Sequence, residues 1–91
     1  AEEMHDAGLV SRVVPAADLD DEVDRLARRL ADGPTRAIGA AKRLLTTSYE
    51  HQMERQLQLE AEAFADCSLT DDFAEGVAAF VDKRAPHFTG R

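Results

Sequence analysis

Four side chains in this 91-residue sequence could ligate a soft metal ion, namely His5, His51, Cys67 and His87. They comprise all of its histidines and its only cysteine, and they lie far apart in the chain. Metal sites use short paired spacings between ligands, which are missing here. The sequence therefore predicts no metal site, and a single cysteine predicts no internal disulfide.

Glu60 and Glu62 are the candidates for paired acid/base chemistry. Residues two apart on a helix point to different sides, so we interpret both as solvated or as i,i+4 partners. Ser68 and Cys67 lack the context of a nucleophile elbow or a glycine-rich oxyanion loop, and no phosphate-binding glycine loop is present. The residues alone predict no catalytic constellation.

Lys83 is a candidate ligand-binding cation. On a helix it falls on the same flank as Gly76 and Ala79, where a ligand could approach the backbone closely and meet the lysine one turn further on. Two interpretations stay open: a lysine that complements the dipole at a helix C-terminus, or a phosphate-binding lysine supported by the neighbouring Arg84.

The helix that carries Lys83 is predicted from residue 71 to about residue 84. Helical spacing places four apolar side chains on one stripe, which is expected to be buried: Phe73, Val77, Phe80 and Val81. Ser68 or Thr70 can cap its N-terminus, and Pro86 is expected to stop it.

The same periodicity predicts helices over residues 1–7, 19–31, 34–48 and about 50–66, with an extended segment at residues 9–14. Gly8 stands where a left-handed residue is expected to end the first helix. Phe64 continues a stripe with Leu57, which predicts a core position. Leu59 and Ala63 lie off that stripe, so this helix has a second apolar flank that another subunit or domain is expected to cover. The predicted fold class is all-α, a small helical bundle with one short extended N-terminal segment.

The composition excludes several partners. Eighteen acidic against eleven basic residues give a net charge of −7 without a basic patch, which argues against nucleic acid and anionic membranes. No apolar run approaches the ~20 residues of a membrane-spanning helix. The lone cysteine and the absence of a signal-peptide pattern favour a reducing, cytoplasmic compartment.

Three stretches of sequence carry a pattern when they are taken together. They are Ala1-Glu2-Glu3 with Gly8-Leu9-Val10 and Val13-Val14-Pro15; Gly33-Pro34 with Ala41-Lys42 and Leu44-Leu45; and Thr70-Asp71-Asp72-Phe73 with Glu75-Gly76, Ala79-Phe80, Lys83-Arg84, Pro86 and Phe88. In this order they resemble the C-terminal helical region of the enoyl-CoA hydratase/isomerase (crotonase) family.

The resemblance implies a piece of an enzyme acting on acyl-CoA thioesters, with CoA entering as part of the substrate and no separate cofactor. It implies homo-oligomers, trimers or hexamers, in the intact enzyme and possible exchange of elements between copies of the isolated piece. It matches Lys83 to a lysine that reaches the adenosine/phosphate end of the CoA held by a neighbouring subunit, and Phe64 to an aromatic residue near the same ligand. The catalytic groups would lie before Ala1, so the chain alone is expected to be inactive.

The resemblance divides the chain into two parts and leaves alternative functions open. Residues 1–15 would lead out of a catalytic core, and residues 16–91 would form a helical oligomerisation domain. The competing class is a free-standing acidic interaction module, although a chain starting inside a helix without an N-cap favours a piece of a longer protein. The resemblance leaves open which reaction applies: hydration, isomerisation, thioester hydrolysis, dehalogenation, ring cleavage or decarboxylation.

Overall fold

The computed structural model describes residues 1–91 as five α-helices without a β-strand, which confirms the all-α class. The helices are α1 (Glu2–Asp6), α2 (Leu19–Ala31), α3 (Thr35–Thr47), α4 (Met53–Ser68) and α5 (Asp71–Asp82). Short 3-10 turns cover Ala16–Asp18 and Ser48–Glu50. The division into residues 1–15 and 16–91 stays a prediction.

Local signals explain two helix boundaries, the end of α1 and the start of α5. Thr70 caps α5, since its hydroxyl oxygen accepts a hydrogen bond from the Phe73 N–H at 3.1 Å. Ser68, the other predicted cap, instead belongs to α4 and donates to the Ala65 carbonyl at 2.7 Å. Gly8 follows α1 with a φ of +74°, the left-handed conformation predicted for it.

The C-terminus of α5 differs from the prediction. The helix ends at Asp82 because Lys83 adopts the left-handed conformation, with a φ of 54°. The Arg84 N–H then donates to the Ala79 carbonyl at 3.0 Å and the Lys83 N–H to the Phe80 carbonyl at 3.3 Å, which is a Schellman cap. Backbone hydrogen bonds at Lys83 thus stop the helix before Pro86 is reached.

The helices pack in sequence order: α2 against α3, α3 against α4 and α4 against α5. An ion pair holds the extended segment before α2 against that helix. Arg12 and Arg25 both pair with Glu22, with Arg25 Nε lying 3.1 Å from Glu22 Oε2. These hydrogen bonds lower the pKa of Glu22, Arg25 having the larger effect.

The buried core is very small. Only Ala40, Thr70, Asp72 and Ala79 are buried, and no large side chain is fully enclosed. The predicted burial of the α5 stripe is wrong: Phe73 is 38% exposed and Phe80 85%. Helix α5 instead turns Ala79 and Asp72 inward, because the C-terminal residues fold back along that flank, as described below.

The chain is also more extended than a compact domain. Its radius of gyration is 16.7 Å, whereas a compact domain of this length has about 12 Å. Its accessible surface is 7664 Å², and a folded monomer of its mass exposes about 5,200 Å². The helices therefore expose roughly 2,400 Å² more than a compact fold would. None of the five helices combines the length and apolar character needed to span a bilayer.

Candidate functional site

The flank that was predicted to admit a ligand is occupied by the chain itself. Ala79 is 1% exposed. A Cβ placed on Gly76 would lie 3.6 Å from Cε1 of Phe88, so the phenyl ring rests against the bare helix backbone. The close approach predicted at Gly76 is present, and the group that makes it is Phe88.

Lys83 lies at the end of this flank with its side chain exposed, and no ion pair of the chain includes it. A non-glycine residue in the left-handed conformation is disfavoured by roughly 1–2 kcal/mol. Arg84, its neighbour, turns away to bind a carboxylate on α5. Lys83 is therefore a free cation held in a strained backbone position.

Phe64 on α4 is 65% exposed, so its predicted core position is wrong. Its ring makes an edge-to-face contact with Phe73, with ring centroids 5.9 Å apart. Phe73 and Lys83 stand at opposite ends of α5, separated by about 15 Å of helical rise. The structure therefore does not bring Phe64 and Lys83 together, and only an elongated ligand could contact both.

Residues 84–91 form what we call the C-terminal strap, which folds back along α5. Glu75 holds its first half: Arg84 Nη1 and Nη2 lie 2.6 and 2.8 Å from the two carboxylate oxygens, and the His87 N–H donates at 2.7 Å. The Arg84 guanidinium, and after it the His87 N–H, lower the pKa of Glu75 to about 2.

Asp72 holds the other half of the strap. Its carboxylate accepts hydrogen bonds from the Thr89 N–H at 2.7 Å and the Gly90 N–H at 2.9 Å, and its own N–H donates to the Arg91 carbonyl at 3.0 Å. The residue is 4% exposed. Sequence reasoning missed both carboxylates as the groups that hold the strap. No repeat signals such contacts, because the strap is irregular chain.

The strap forms one wall of an apolar groove of about 340 Å³, which also contains the start of α3. Its apolar lining includes Pro34, Ala37, Val77, Phe80 and Phe88. Three residues of the exposed α5 stripe, Phe73, Val77 and Phe80, line this groove. No pair of acid/base side chains converges in it, so the groove can bind apolar side chains but cannot catalyse a reaction by acid/base transfer.

A second groove, of about 300 Å³, runs between α3 and α4 and is charged. Arg36 and Arg43 line it from α3, and Glu62 and Asp66 line it from α4. Glu62 accepts a hydrogen bond from Gln58 at 3.0 Å, four residues earlier. Glu60 makes the same i,i+4 contact with Gln56 at 3.0 Å, so the two glutamates do not form a pair.

The four candidate metal ligands stay apart in the structure. The ring of His5 lies 3.8 Å from Asp6, the ring of His51 lies 3.4 Å from Gln56, and Cys67 is half-buried between the two grooves. No group of three or more His, Cys, Asp or Glu side chains converges on a point where a metal ion could sit.

Known proteins match this chain over its whole length. A family model described as enoyl-CoA hydratase/isomerase matches residues 1–91. A probable enoyl-CoA hydratase of Rhodobacter capsulatus is 40% identical over 91 residues, and the 1,2-epoxyphenylacetyl-CoA isomerase of Escherichia coli is 36% identical over 91 residues. Each alignment covers 100% of this chain and 35% of the relative.

Solved structures give the same result. An enoyl-CoA hydratase subunit from Geobacillus kaustophilus superimposes with a TM-score of 0.94 at 35% identity. An enoyl-CoA hydratase from Bacillus anthracis superimposes with a TM-score of 0.89 at 31% identity. Each superposition covers 100% of this chain and 35% of the other, so the chain spans about a third of the length of its relatives.

Proposed function

This chain belongs to the enoyl-CoA hydratase/isomerase family, and from that premise we propose that it is the C-terminal helical region of an enzyme acting on acyl-CoA thioesters. In this role it joins subunits and contributes the rim of a CoA site, while the reacting groups lie in a catalytic core outside these 91 residues. The alternative of a free-standing interaction module has no support, since the family match covers the whole chain.

The exposed apolar surface is the observation that carries the assembly role. Val77, Phe80 and Val81 on α5 are 50%, 85% and 71% exposed. Large contiguous apolar patches mark interaction surfaces in soluble proteins. The excess surface of roughly 2,400 Å² exceeds the ~800 Å² per partner that a standard interface buries. A core and sister copies of the chain together would cover these faces.

The CoA rim is supported by Lys83 and Phe64. Left-handed non-glycine residues cluster at functional sites, and Lys83 has this conformation at the exposed end of α5, with no ion pair inside the chain. An ammonium there can bind a phosphate as a point charge. The exposed ring of Phe64 offers an apolar face on which a base such as adenine can stack.

Calorimetric titration of the chain with CoA tests the rim. Lys83→Ala should weaken CoA binding about tenfold, the effect of losing one charge-assisted contact. Lys42, the only other lysine, supplies the matched control, because Lys42→Ala removes the same charge from the surface of α3. Phe64→Ala should also weaken binding, with Tyr49→Ala as its control, since Tyr49 is 98% exposed. Equal losses of affinity in a variant and its control would rule out the rim assignment.

The chain alone should not hydrate crotonyl-CoA. Stabilising the developing oxyanion needs a preorganised pair of N–H donors in a water-excluded pocket, and neither groove supplies one. A spectrophotometric assay of the purified chain measures this directly. Turnover that copurifies with the protein through several columns would contradict the placement of the reacting groups outside these residues.

A further inference from the structure

Lys83 has a left-handed conformation that its residue type does not favour. Its φ of 54° lies in a region that a non-glycine residue disfavours roughly five- to thirtyfold. A helix that continued through Lys83 and Arg84 would also give both backbone N–H groups a partner, as the present cap does. The number of these bonds therefore does not distinguish the two conformations, and a further contact has to favour the left-handed turn.

The ion pair between Glu75 and Arg84 supplies this contact, because a continued helix could not make it. On an α-helix, residues nine apart are rotated by about 180° and separated by about 13.5 Å along the axis, so their side chains point to opposite faces. In the structure, Arg84 Nη1 and Nη2 lie 2.6 and 2.8 Å from the two carboxylate oxygens of Glu75. The contact forms because the chain leaves the helix at Lys83 and turns back along α5.

The geometry of this pair makes it stronger than an ordinary surface ion pair. Two parallel N–H···O contacts fix the guanidinium in one orientation. The His87 N–H donates to the same carboxylate at 2.7 Å, and Arg84 Nε lies 3.6 Å from Asp82, the last residue of α5. The side chains of Arg84 and Glu75 are 43% and 25% exposed, so water screens the pair only in part.

We propose that Glu75 and Arg84 are positioning residues for Lys83, because their ion pair selects the left-handed conformation in which the lysine stands at the end of α5. This inference rests on the CoA rim proposed above and adds two residues that act through Lys83 without contacting CoA. The pair also occupies the Arg84 guanidinium. The ammonium of Lys83, which has no ion pair inside the chain, is then left to bind a phosphate.

A charge-neutral double variant tests the positioning. Glu75→Gln with Arg84→Met removes the ion pair and leaves the net charge of −7 unchanged. Asp24→Asn with Arg28→Met is the matched control, because it removes a 3.5 Å ion pair from α2, also without a change in net charge. NMR of the chain without ligand reports the conformation of Lys83 through the three-bond coupling between its amide and α protons. This coupling should move towards the helical value in the double variant and stay unchanged in the control.

Affinity for CoA gives the functional readout, followed by NMR at CoA concentrations up to millimolar. The double variant should bind CoA roughly three- to tenfold more weakly, because the fraction of Lys83 in the competent conformation falls. The loss should not exceed that of Lys83→Ala, which removes the ammonium altogether. Adding the double substitution to Lys83→Ala should have no further effect, since the pair acts through the lysine. A merely structural role would lower the affinity equally in both backgrounds.

An unchanged coupling at Lys83 in the double variant would overturn the proposal, whatever the affinity for CoA. So would a helical coupling with unchanged affinity, since the pair would then only end the helix. Equal affinities of Lys83→Ala and Lys42→Ala would refute the rim, and the positioning role with it. If circular dichroism shows that the double variant has lost its helices, Arg84→Lys replaces it, because lysine keeps the charge without the bidentate fork. That variant should show the same changes to a smaller extent, and no change there would overturn the proposal.

Discussion

Replacing Asp72 by alanine should release the C-terminal strap from α5. Asp72 is 4% exposed, and its carboxylate accepts two backbone hydrogen bonds, at 2.7 Å from the Thr89 N–H and 2.9 Å from the Gly90 N–H. Alanine removes both acceptors. The matched variant is Asp71→Ala, because Asp71 occupies the same first turn of α5, is exposed and accepts none of the hydrogen bonds that hold the strap.

The expected magnitude follows from these contacts. Hydrogen bonds to a charged group contribute about 1.5–3 kcal/mol, whereas a negative charge in the first turn of a helix contributes about 0.3–1 kcal/mol through the dipole. Both variants lose the dipole contribution. Because two such hydrogen bonds are lost, Asp72→Ala should exceed Asp71→Ala by at least about 2 kcal/mol, which is at least a roughly thirtyfold increase in strap opening.

Amide hydrogen exchange followed by NMR measures this opening directly. The N–H groups of Thr89 and Gly90 should exchange at least roughly thirtyfold faster in Asp72→Ala than in Asp71→Ala. Amides in the middle of α3 should change little, because α3 does not depend on the carboxylate. If Thr89 and Gly90 exchange at the same rate in the two variants, Asp72 does not hold the strap and the reasoning is wrong.

Three further predictions concern α5 and the strap. Gly76→Ala should raise the free energy of unfolding by about 1 kcal/mol in urea, because alanine favours helix and its Cβ would meet Phe88 at an ordinary 3.6 Å; a loss of stability would contradict this. Lys83→Gly should also stabilise, by about 1 kcal/mol, because glycine adopts φ of 54° without strain, and Lys83→Ala should not. Acid should loosen the strap: the pKa of Glu75 is lowered to about 2 from 4.5, so its contribution is complete above pH ~4.5 and is lost as pH falls towards 2. Glu75→Gln should abolish this acid dependence of His87 amide exchange.

Sequence reasoning predicted the helices well because helix signals are local. Capping by Thr70 and the left-handed Gly8 depend on neighbours within a few residues, and both are observed. The small residue at Gly76 correctly signalled a close approach to the helix backbone. The family resemblance, built from short stretches spread over the chain, was confirmed over residues 1–91.

Burial was predicted less well, since periodicity shows that a stripe is apolar and not what covers it. The stripe through Phe80 and the ring of Phe64 are exposed in the chain, at 85% and 65%. Gly76 and Ala79, on the adjacent flank, are covered instead because Phe88 packs there. The α5 stripe and the Phe64 ring are apolar surfaces that a chain of this length does not enclose by itself.

The amino-acid sequence by itself determined the helical spans, the apolar faces and the family, because each depends on residue types within a few positions or on their order along the chain. Only the tertiary structure decided which group lies on Gly76 and which carboxylates hold the strap. Phe88 lies 12 positions from Gly76, and the carboxylate contacts join residues 9, 17 and 18 positions apart across irregular chain. No repeat connects residues at such separations, so they become visible only when the chain has turned back on itself.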